Sequence, residues 1–311
     1  MRTAGFVAVD RCWVCEGTNR ARVHDALFEL SEYAVQDPDL AAYSGASIPI
    51  VRCARCGFAQ PSQLPALARY FDRMYDQRWS EDWIVGEHHA DYKDLIFSDI
   101  LDALTVRLAG GRRRLLDVGA HAGRFVTLAR KRGWRAEGLE LNPKTAAYAR
   151  AASGVPVHQG NMHTFERVDS AYDAITLTDV LEHVPEPRLV LQKARRLLSP
   201  DGWIAIKVPN APAQRVKERT RAVVRRGYRP SLADNLVHVN HFSPASLRLA
   251  LEREGYDRVS VFAGAPELAN DGTSSRLDRL LRLAAFRSVR ALPGGVHTPL
   301  AFNLQAYARR P

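Results

Sequence analysis

The stretch LLDVGAHAGRF, Leu115–Phe125, decides the fold. Its apolar start reads as a buried strand ending at Asp117. A tight turn bearing Gly119 and Gly123 follows, and GRFVTLARKRG reads as a helix closed by Gly133. Glycine reaches φ > 0 without steric cost and lets a ligand approach the backbone. The helix start then offers unpaired N–H groups to that ligand. Glu140 ends the next predicted strand, about 20 residues on, where an acidic side chain can accept both hydroxyls of a ribose.

A dinucleotide fingerprint needs G-x-G-x-x-G. Here His121 and Arg124 stand at the second and third glycine positions, so that fingerprint fails. The spacing is D-x-G-x-x-x-G, with Asp117 two residues ahead of Gly119. An acid there opposes a pyrophosphate and favours a cationic ligand without phosphate. S-adenosylmethionine (SAM), with its sulfonium and ammonium, is such a ligand.

Around this turn, short apolar runs alternate with amphipathic segments. RAEGLEL, VPVHQG, YDAITLTDV and WIAIKVPN read as strands. PKTAAYARAASG, with Pro143 at its start, and PRLVLQKARRLLSPDG read as helices, the latter running into a turn. This rhythm predicts an α/β fold, a Rossmann-like and mainly parallel sheet with helices on both faces. Farther on, SPASLRLALEREGY is an amphipathic helix opened by Ser243 and Pro244, DRVSVFAG a strand, and LAFNLQAYARR the last strand. Residues 211 to about 243 form a basic insert with Arg215, Lys217, Arg219, Arg221, Arg225, Arg226 and Arg229 against Glu218 and Asp234. Residues 264 to 297 are a second basic, partly helical insert. Upstream, Leu95, Ile96, Ile100, Leu101, Leu104 and Leu108 fall at helical spacing before Gly110-Gly111.

With these elements in place the chain resembles the class I SAM-dependent methyltransferases over about residues 112 to 262 and the final strand. LLDVGAHAGRF resembles their first motif, with His121 in place of its middle glycine. GLELNP, QGNMHTF (Asn161 where an Asp is more usual), TLTDVLEHVPEP and DGWIAIKVPN match later motifs. The resemblance implies cofactor contacts from Asp117, Gly119, His121, Gly123, Glu140, Leu141, Asn161, Met162 and Asp179. Taken singly, Asp117 and Glu140 read as strand-end acids capping neighbouring helices, and their joint spacing reverses that in favour of the cofactor; Asp179 has a helix cap and Met162 a core position as the alternative reading.

Four cysteines occur, as Cys12-x-x-Cys15 and Cys53-x-x-Cys56. That is the two-knuckle spacing of a tetrahedral zinc site, and four thiolates leave no open position, so the site is structural. Gly17 and Gly57 follow the knuckles, and the 37-residue gap predicts an insert between them. The expected organisation is a zinc-binding module at 1–61, a helical lid or linker at 62–111, and a SAM-binding methyltransferase domain at 112–311 containing the insert 211–243. The arrangement also resembles a methyltransferase group with an N-terminal four-cysteine zinc module, which includes sugar C-methyltransferases. Those enzymes carry a further C-terminal domain that this chain is too short to hold.

Methyl transfer requires alignment with the sulfonium methyl and, for a neutral nucleophile, removal of a proton. Histidine suits that task. His183 follows strand four in LEHVPEP; His238 and His241 lie in NLVHVNHFS. The sugar C-methyltransferases have an H-E-H-x-x-Y-F-S-like segment there, which places His238 on their catalytic histidine, Val237 on the neighbouring glutamate and His241 on the tyrosine. Loss of that glutamate weighs toward O-methylation over C-methylation. Tyr70 to Trp83, with Tyr92, reads as a lid over the substrate or as aromatic packing on the core.

The chain has 311 residues and a formal charge of +10, so an anionic partner must be weighed. The only lysines are Lys93, Lys131, Lys144, Lys193, Lys207 and Lys217, so the charge also reads as general arginine usage. No apolar run reaches the roughly 20 residues of a membrane span, and no signal peptide opens the chain; with the paired cysteines this predicts a cytoplasmic protein. The expected acceptor is a small molecule, a sugar, sugar nucleotide or natural-product hydroxyl, phosphorylated if the basic insert clamps it. RNA is the alternative, but no N-P-P-Y or D-P-P-Y tetrad follows strand four and no aromatics interleave the basic run. A binding protein that only keeps the turn is a third reading, opposed by the joint presence of Asp117, Gly119 and Glu140.

Overall fold

The architecture is that of a computed structural model, which describes residues 5–76, 80–108, 110–111, 113–225, 227–228, 238–268, 276–298 and 300–311. Arg112, Arg226, Arg229, Asp234 and Val237 lie outside the described residues, as does the stretch 229–237 of the basic insert.

The chain opens with a small β module. Strands β1 (Phe6–Ala8), β2 (Arg20–Phe28), β3 (Ala46–Cys53), β4 (Ala59–Pro61) and β5 (Gln63–Pro65) flank a short helix α1 (Pro38–Ala41). β2, β3 and β4 form an antiparallel sheet, and β1 pairs with β5. The expected insert between the knuckles is thus mostly the β2–β3 hairpin. Helices α2 (Tyr70–Asp76), α3 (Glu81–His89) and α4 (Asp94–Arg107) follow. In α4 the predicted stripe is buried at Ile96, Ile100, Leu101 and Leu104, together with Phe97, against one face of the main sheet.

The main domain then alternates: β6 (Arg114–Val118), α5 (Arg124–Lys131), β7 (Arg135–Glu140), α6 (Pro143–Ser153), β8 (Val157–Gln159), β9 (Tyr172–Thr178), α7 (Pro187–Leu197) and β10 (Leu198–Pro209). Helix α8 (Ala211–Val224) occupies the described start of the basic insert, and α9 (Pro244–Arg253), β11 (Asp257–Ala263), α10 (Arg276–Ala291) and β12 (Asn303–Arg309) complete the chain. The sheet order is β11-β12-β10-β9-β6-β7-β8, with β12 antiparallel to both neighbours and β6 to β10 parallel. This is the Rossmann-like α/β fold that the sequence predicts. The strand order reverses between β6 and β9, and the crevice outside their carboxyl ends is where such sheets bind ligands.

Local chemistry sets the elements. Asn142 caps α6 by accepting the N–H groups of Lys144 and Thr145, Pro143 takes the first turn, and Gly154 closes the helix at φ +65°. Ser243 and Ser246 form a reciprocal capping box on α9. One expectation changes: Ser199–Gly202, read as a turn, belongs to β10. The pairing with β9 shifts register between Leu198 and Trp203, so the turn residues form a bulge inside the strand.

The cysteine module is built into the same core as the sheet. Cys12, Val14, Cys15, Cys53, Cys56 and Phe58 share an apolar cluster with α7, α9 and the inner strands. Phe58 and Phe242, both fully buried, meet at 4.9 Å between ring centroids. Ala59 and His241 exchange both backbone hydrogen bonds, at 3.2 and 2.9 Å. Phe58→Ala is expected to lower the free energy of unfolding by about 3–5 kcal/mol, as measured by urea denaturation.

Candidate active site

A cavity of about 610 Å³ opens at the carboxyl ends of β6, β7 and β9. Its floor is the turn after β6. Gly119 (φ +74°) and Gly123 (φ +81°) adopt left-handed backbone there, and a Cβ on Gly119 would stand 2.6 Å from Val180 Cγ2. His121 is also left-handed, at φ +51°, a conformation that glycine adopts without steric cost. Its ring lies edge-on to Trp83 of α3, with centroids 4.8 Å apart. Burial, with Lys93 nearby, lowers its pKa to about 4, so the imidazole is neutral at physiological pH.

Two acids line this end. Asp117, 3 % exposed, accepts the Thr176 hydroxyl at 2.6 Å. Burial raises its pKa to about 7 against that hydrogen bond. Glu140 accepts the His121 N–H on one oxygen (2.8 Å) and the Asn142 N–H on the other (2.9 Å). Burial pushes its pKa upward. Leu141, Asn161 and Met162 line the same wall. Asn161 turns its amide N–H to Asp72 of α2 at 3.1 Å, while its carbonyl oxygen accepts the N–H groups of His163 and Thr164.

The opposite end holds Asp179 and His183. Asp179, at the mouth of β9 with φ +56°, is bridged by Lys93 Nζ at 2.9 Å and by Lys207 Nζ. Burial alone would raise its pKa, but the two ammonium groups outweigh it and hold the carboxylate ionised. Glu182, 1 % exposed, has its pKa driven well up by burial and by Asp179. His183 lines the cavity, and His238 packs behind it with ring centroids 4.8 Å apart. Burial, then His183 and His241, keep His238 well below the ordinary histidine pKa. His241 is not brought to the cavity. Its ring turns toward His24 of the cysteine module, and burial lowers its pKa to about 3.

Helices α2 and α3 roof the cavity. Phe71, Tyr75, Trp83 and Tyr92 line it, whereas Tyr70 is buried in the module's own core. His88 of α3 donates from Nδ1 to the Ala122 carbonyl at 2.7 Å, tying the roof to the glycine turn. Asp72, Glu87, Lys93, Glu182 and Lys207 were given no site role by the sequence. Lys93 and Lys207 carried a signal, as two of the few lysines in an arginine-rich chain.

The four cysteines converge. Cys12 and Cys56 sulfurs are 3.6 Å apart, Cys15 and Cys53 sulfurs 3.4 Å, and all four lie within 4.8 Å of one another. A zinc tetrahedron with Zn–S near 2.3 Å has edges of about 3.8 Å, so the donor set is compatible with zinc. A Cβ on Gly17 would meet both the Cys15 and Cys53 sulfurs at 3.3 Å.

Residues 88–261 match the family described as Methyltransferase domain, and the chain belongs to that family. It is 30% identical over 109 residues to the ubiquinone biosynthesis O-methyltransferase of Paracidovorax citrulli, covering 33% of this chain and 46% of that protein. The chain thus spans about half the length of the curated relatives it matches. Among solved structures it is similar to a SAM-dependent methyltransferase of Thermotoga maritima (TM-score 0.50, 15% identity, 78% of this chain and 100% of that one). It is also similar to a chain of the complex between the Haloferax volcanii Trm112 methyltransferase activator and a methyltransferase (TM-score 0.53, 17% identity, 79% and 100%). At these identities the likeness establishes the fold.

The Lys93–Asp179–Lys207 bridge ties α4, β9 and β10 together. Asp179→Asn leaves two facing ammonium groups, one of them 2 % exposed, and is expected to cost about 3–5 kcal/mol in urea denaturation.

Proposed function

We propose that this chain is a SAM-dependent methyltransferase acting on a hydroxyl of a small-molecule acceptor, a sugar, sugar nucleotide or natural-product scaffold. The observation that carries the reading is one cavity with the buried acids Asp117 and Glu140 beside its glycine turn at one end and His183, with His238 packed against it, at the other. The similarity to ubiquinone biosynthesis O-methyltransferases supports oxygen as the nucleophile.

When bound, SAM supplies an electrophilic methyl on a cationic sulfur. The rest falls to the protein's own groups. Asp117 titrates near 7, so a cation in its neighbourhood favours the ionised form and draws the proton off. Glu140 uses one lone pair on each oxygen for backbone N–H groups, leaving capacity for the two hydroxyls of a ribose. Asn161, Met162 and Leu141 form the adenine wall. Asp179, neutralised by its lysines, shapes the site and is not a free base. His238 stays unprotonated across the physiological range, so its proton-accepting form is always present. We assign it the acceptor's proton, with His183 between it and the cavity. His241 belongs instead with the module that supports this segment.

The four cysteines hold a structural zinc ion in this account, and residues 1–61, 62–111 and 112–311 act as zinc module, lid and methyltransferase domain. Because Ala59 and Phe58 seat the segment that carries His238, the module serves the active site.

With methyl-labelled SAM and a panel of sugars and nucleotide sugars, His238→Ala is expected to reduce kcat by about 10²–10⁴-fold while SAM affinity stays at the wild-type value. Undiminished turnover would remove His238 from that role. Binding of RNA with a steep salt dependence, and no transfer to any small acceptor, would move the reading to RNA.

A further inference from the structure

We propose that Arg52, Arg215 and Arg219, together with His241, form a binding site for a phosphate or diphosphate group at the seam between the cysteine module and α8. The sheet register sets one wall. Arg52 of β3 stands opposite Ala59 of β4, and Ala59 in turn stands opposite His241. Residues directly across neighbouring strands project to the same face, so Arg52 and His241 share a face on either side of the small Ala59. Two strand spacings set their backbones about 10 Å apart. His24 lies on that face too, because it pairs with Ile50, two residues before Arg52. Its ring meets the His241 ring edge-on at 6.3 Å.

Helix α8 sets the other wall. Its first residue, Ala211, is buried and donates its backbone N–H to the Phe242 carbonyl at 2.8 Å, which moors the helix beside His241. Arg215 and Arg219 follow at successive spacings of four, along the same stripe of α8 as Ala211. Arg215 is half-buried. Burial, then the Arg52 and Arg219 guanidinium groups, lower its pKa. Among the described residues no carboxylate forms an ion pair with Arg52, Arg215 or Arg219. Arg73, Arg114, Arg124 and Arg290, by contrast, each hold an aspartate. His241 adds an unused polar atom: its Nε2 is buried and has no hydrogen-bond partner among the described residues. Burial, with His24 and Arg215, keeps this imidazole neutral, so one ring nitrogen carries a proton that it can donate to an oxyanion.

Like charges brought together without a counter-charge disfavour one another, and an anion would complete this cluster. The arginine fork matches phosphate oxygens two at a time. A phosphate dianion or a diphosphate brings both the missing charge and enough acceptor oxygens for all three guanidinium groups. The group comes from one of two sources, the diphosphate of a nucleotide-linked acceptor or free inorganic phosphate. The first source rests on the methyl-transfer reading; the site itself rests on register and charge. His238, on the opposite side of the same segment, packs against His183 of the cavity, so an anion held here also steadies the segment that carries the proton acceptor.

Calorimetric titration with inorganic phosphate, inorganic pyrophosphate and UDP tests the site, at about 0.15 M salt, where long-range attraction is screened. Wild type is expected to bind at least one of these probes, one per chain, and Arg215→Leu and Arg52→Leu each to weaken that binding by about tenfold or more. UDP bound tighter than pyrophosphate supports the nucleotide source, and equal or weaker binding of UDP supports the inorganic one. Thermal unfolding gives an independent reading. Arg215→Leu removes a crowded charge, so its midpoint without anion is expected to hold or rise, while the increase that the anion gives wild type is lost. Wild type that binds none of the three anions overturns the proposal, as do variants that bind them as wild type does. Binding of an RNA oligonucleotide without any of the small anions overturns it as well. If Arg215→Leu fails to fold, the wild-type titration and Arg52→Leu decide. The titrations contain no SAM, so loss of the anion site leaves the methyl-transfer reading intact, and failure to bind SAM strikes that reading and leaves the anion result to stand by itself.

Discussion

The Glu140 carboxylate takes the backbone N–H of His121 on one oxygen and that of Asn142 on the other. These two hydrogen bonds join the turn after β6 to the end of β7 and the start of α6. The backbone reinforces them, since Gly119 and Ala120 both donate to the Leu139 carbonyl. The turn must hold three left-handed residues, Gly119, His121 and Gly123, in five positions. Such backbone persists only where its surroundings over-determine it. Glu140 supplies that constraint, and the cavity floor, the placement of Asp117 and the seat of Trp83 on His121 follow from it.

The second half of the site depends on buried charge. Asp179 at the end of β9 is compensated by Lys93 from the start of α4 and by Lys207 from β10. A buried acid with two ammonium partners stays ionised, while burial and the Asp179 charge push the pKa of Glu182, three residues on, well up. The pKa values of two neighbouring carboxyls are thus pushed in opposite directions by their surroundings. The cysteine module adds a mechanical constraint, fixing the His238–Ser243 segment through Phe58 and Ala59.

Much of this was legible in the sequence because it is local. The strand, turn and helix of LLDVGAHAGRF, the helix starts at Pro143 and Ser243, and the apolar stripe of α4 are each written within a few residues. The paired cysteines state their own geometry. The rest depends on contacts between distant residues. Lys93 meets Asp179 across 86 positions, and no periodicity announces it. The bulge at Ser199–Gly202 arises from register against β9. Gly202 is needed there because a Cβ would stand 2.7 Å from the Ser199 carbonyl oxygen. His238 and His241 read as one cluster, but side chains three positions apart in an extended segment face opposite sides. One reaches His183 and the other faces the cysteine module.

The central claim is that the Asp117–Glu140 end of the cavity takes a cationic, phosphate-free nucleotide. Calorimetric titration with SAM tests it most directly, with NAD as the contrast. Because Asp117 titrates near 7 when unliganded, binding should release a proton below that pH. Affinity should then rise about tenfold between about pH 6 and about pH 8, with one SAM bound per chain and no heat from NAD. Binding of NAD in place of SAM, or SAM affinity that falls as the pH rises, would contradict the account.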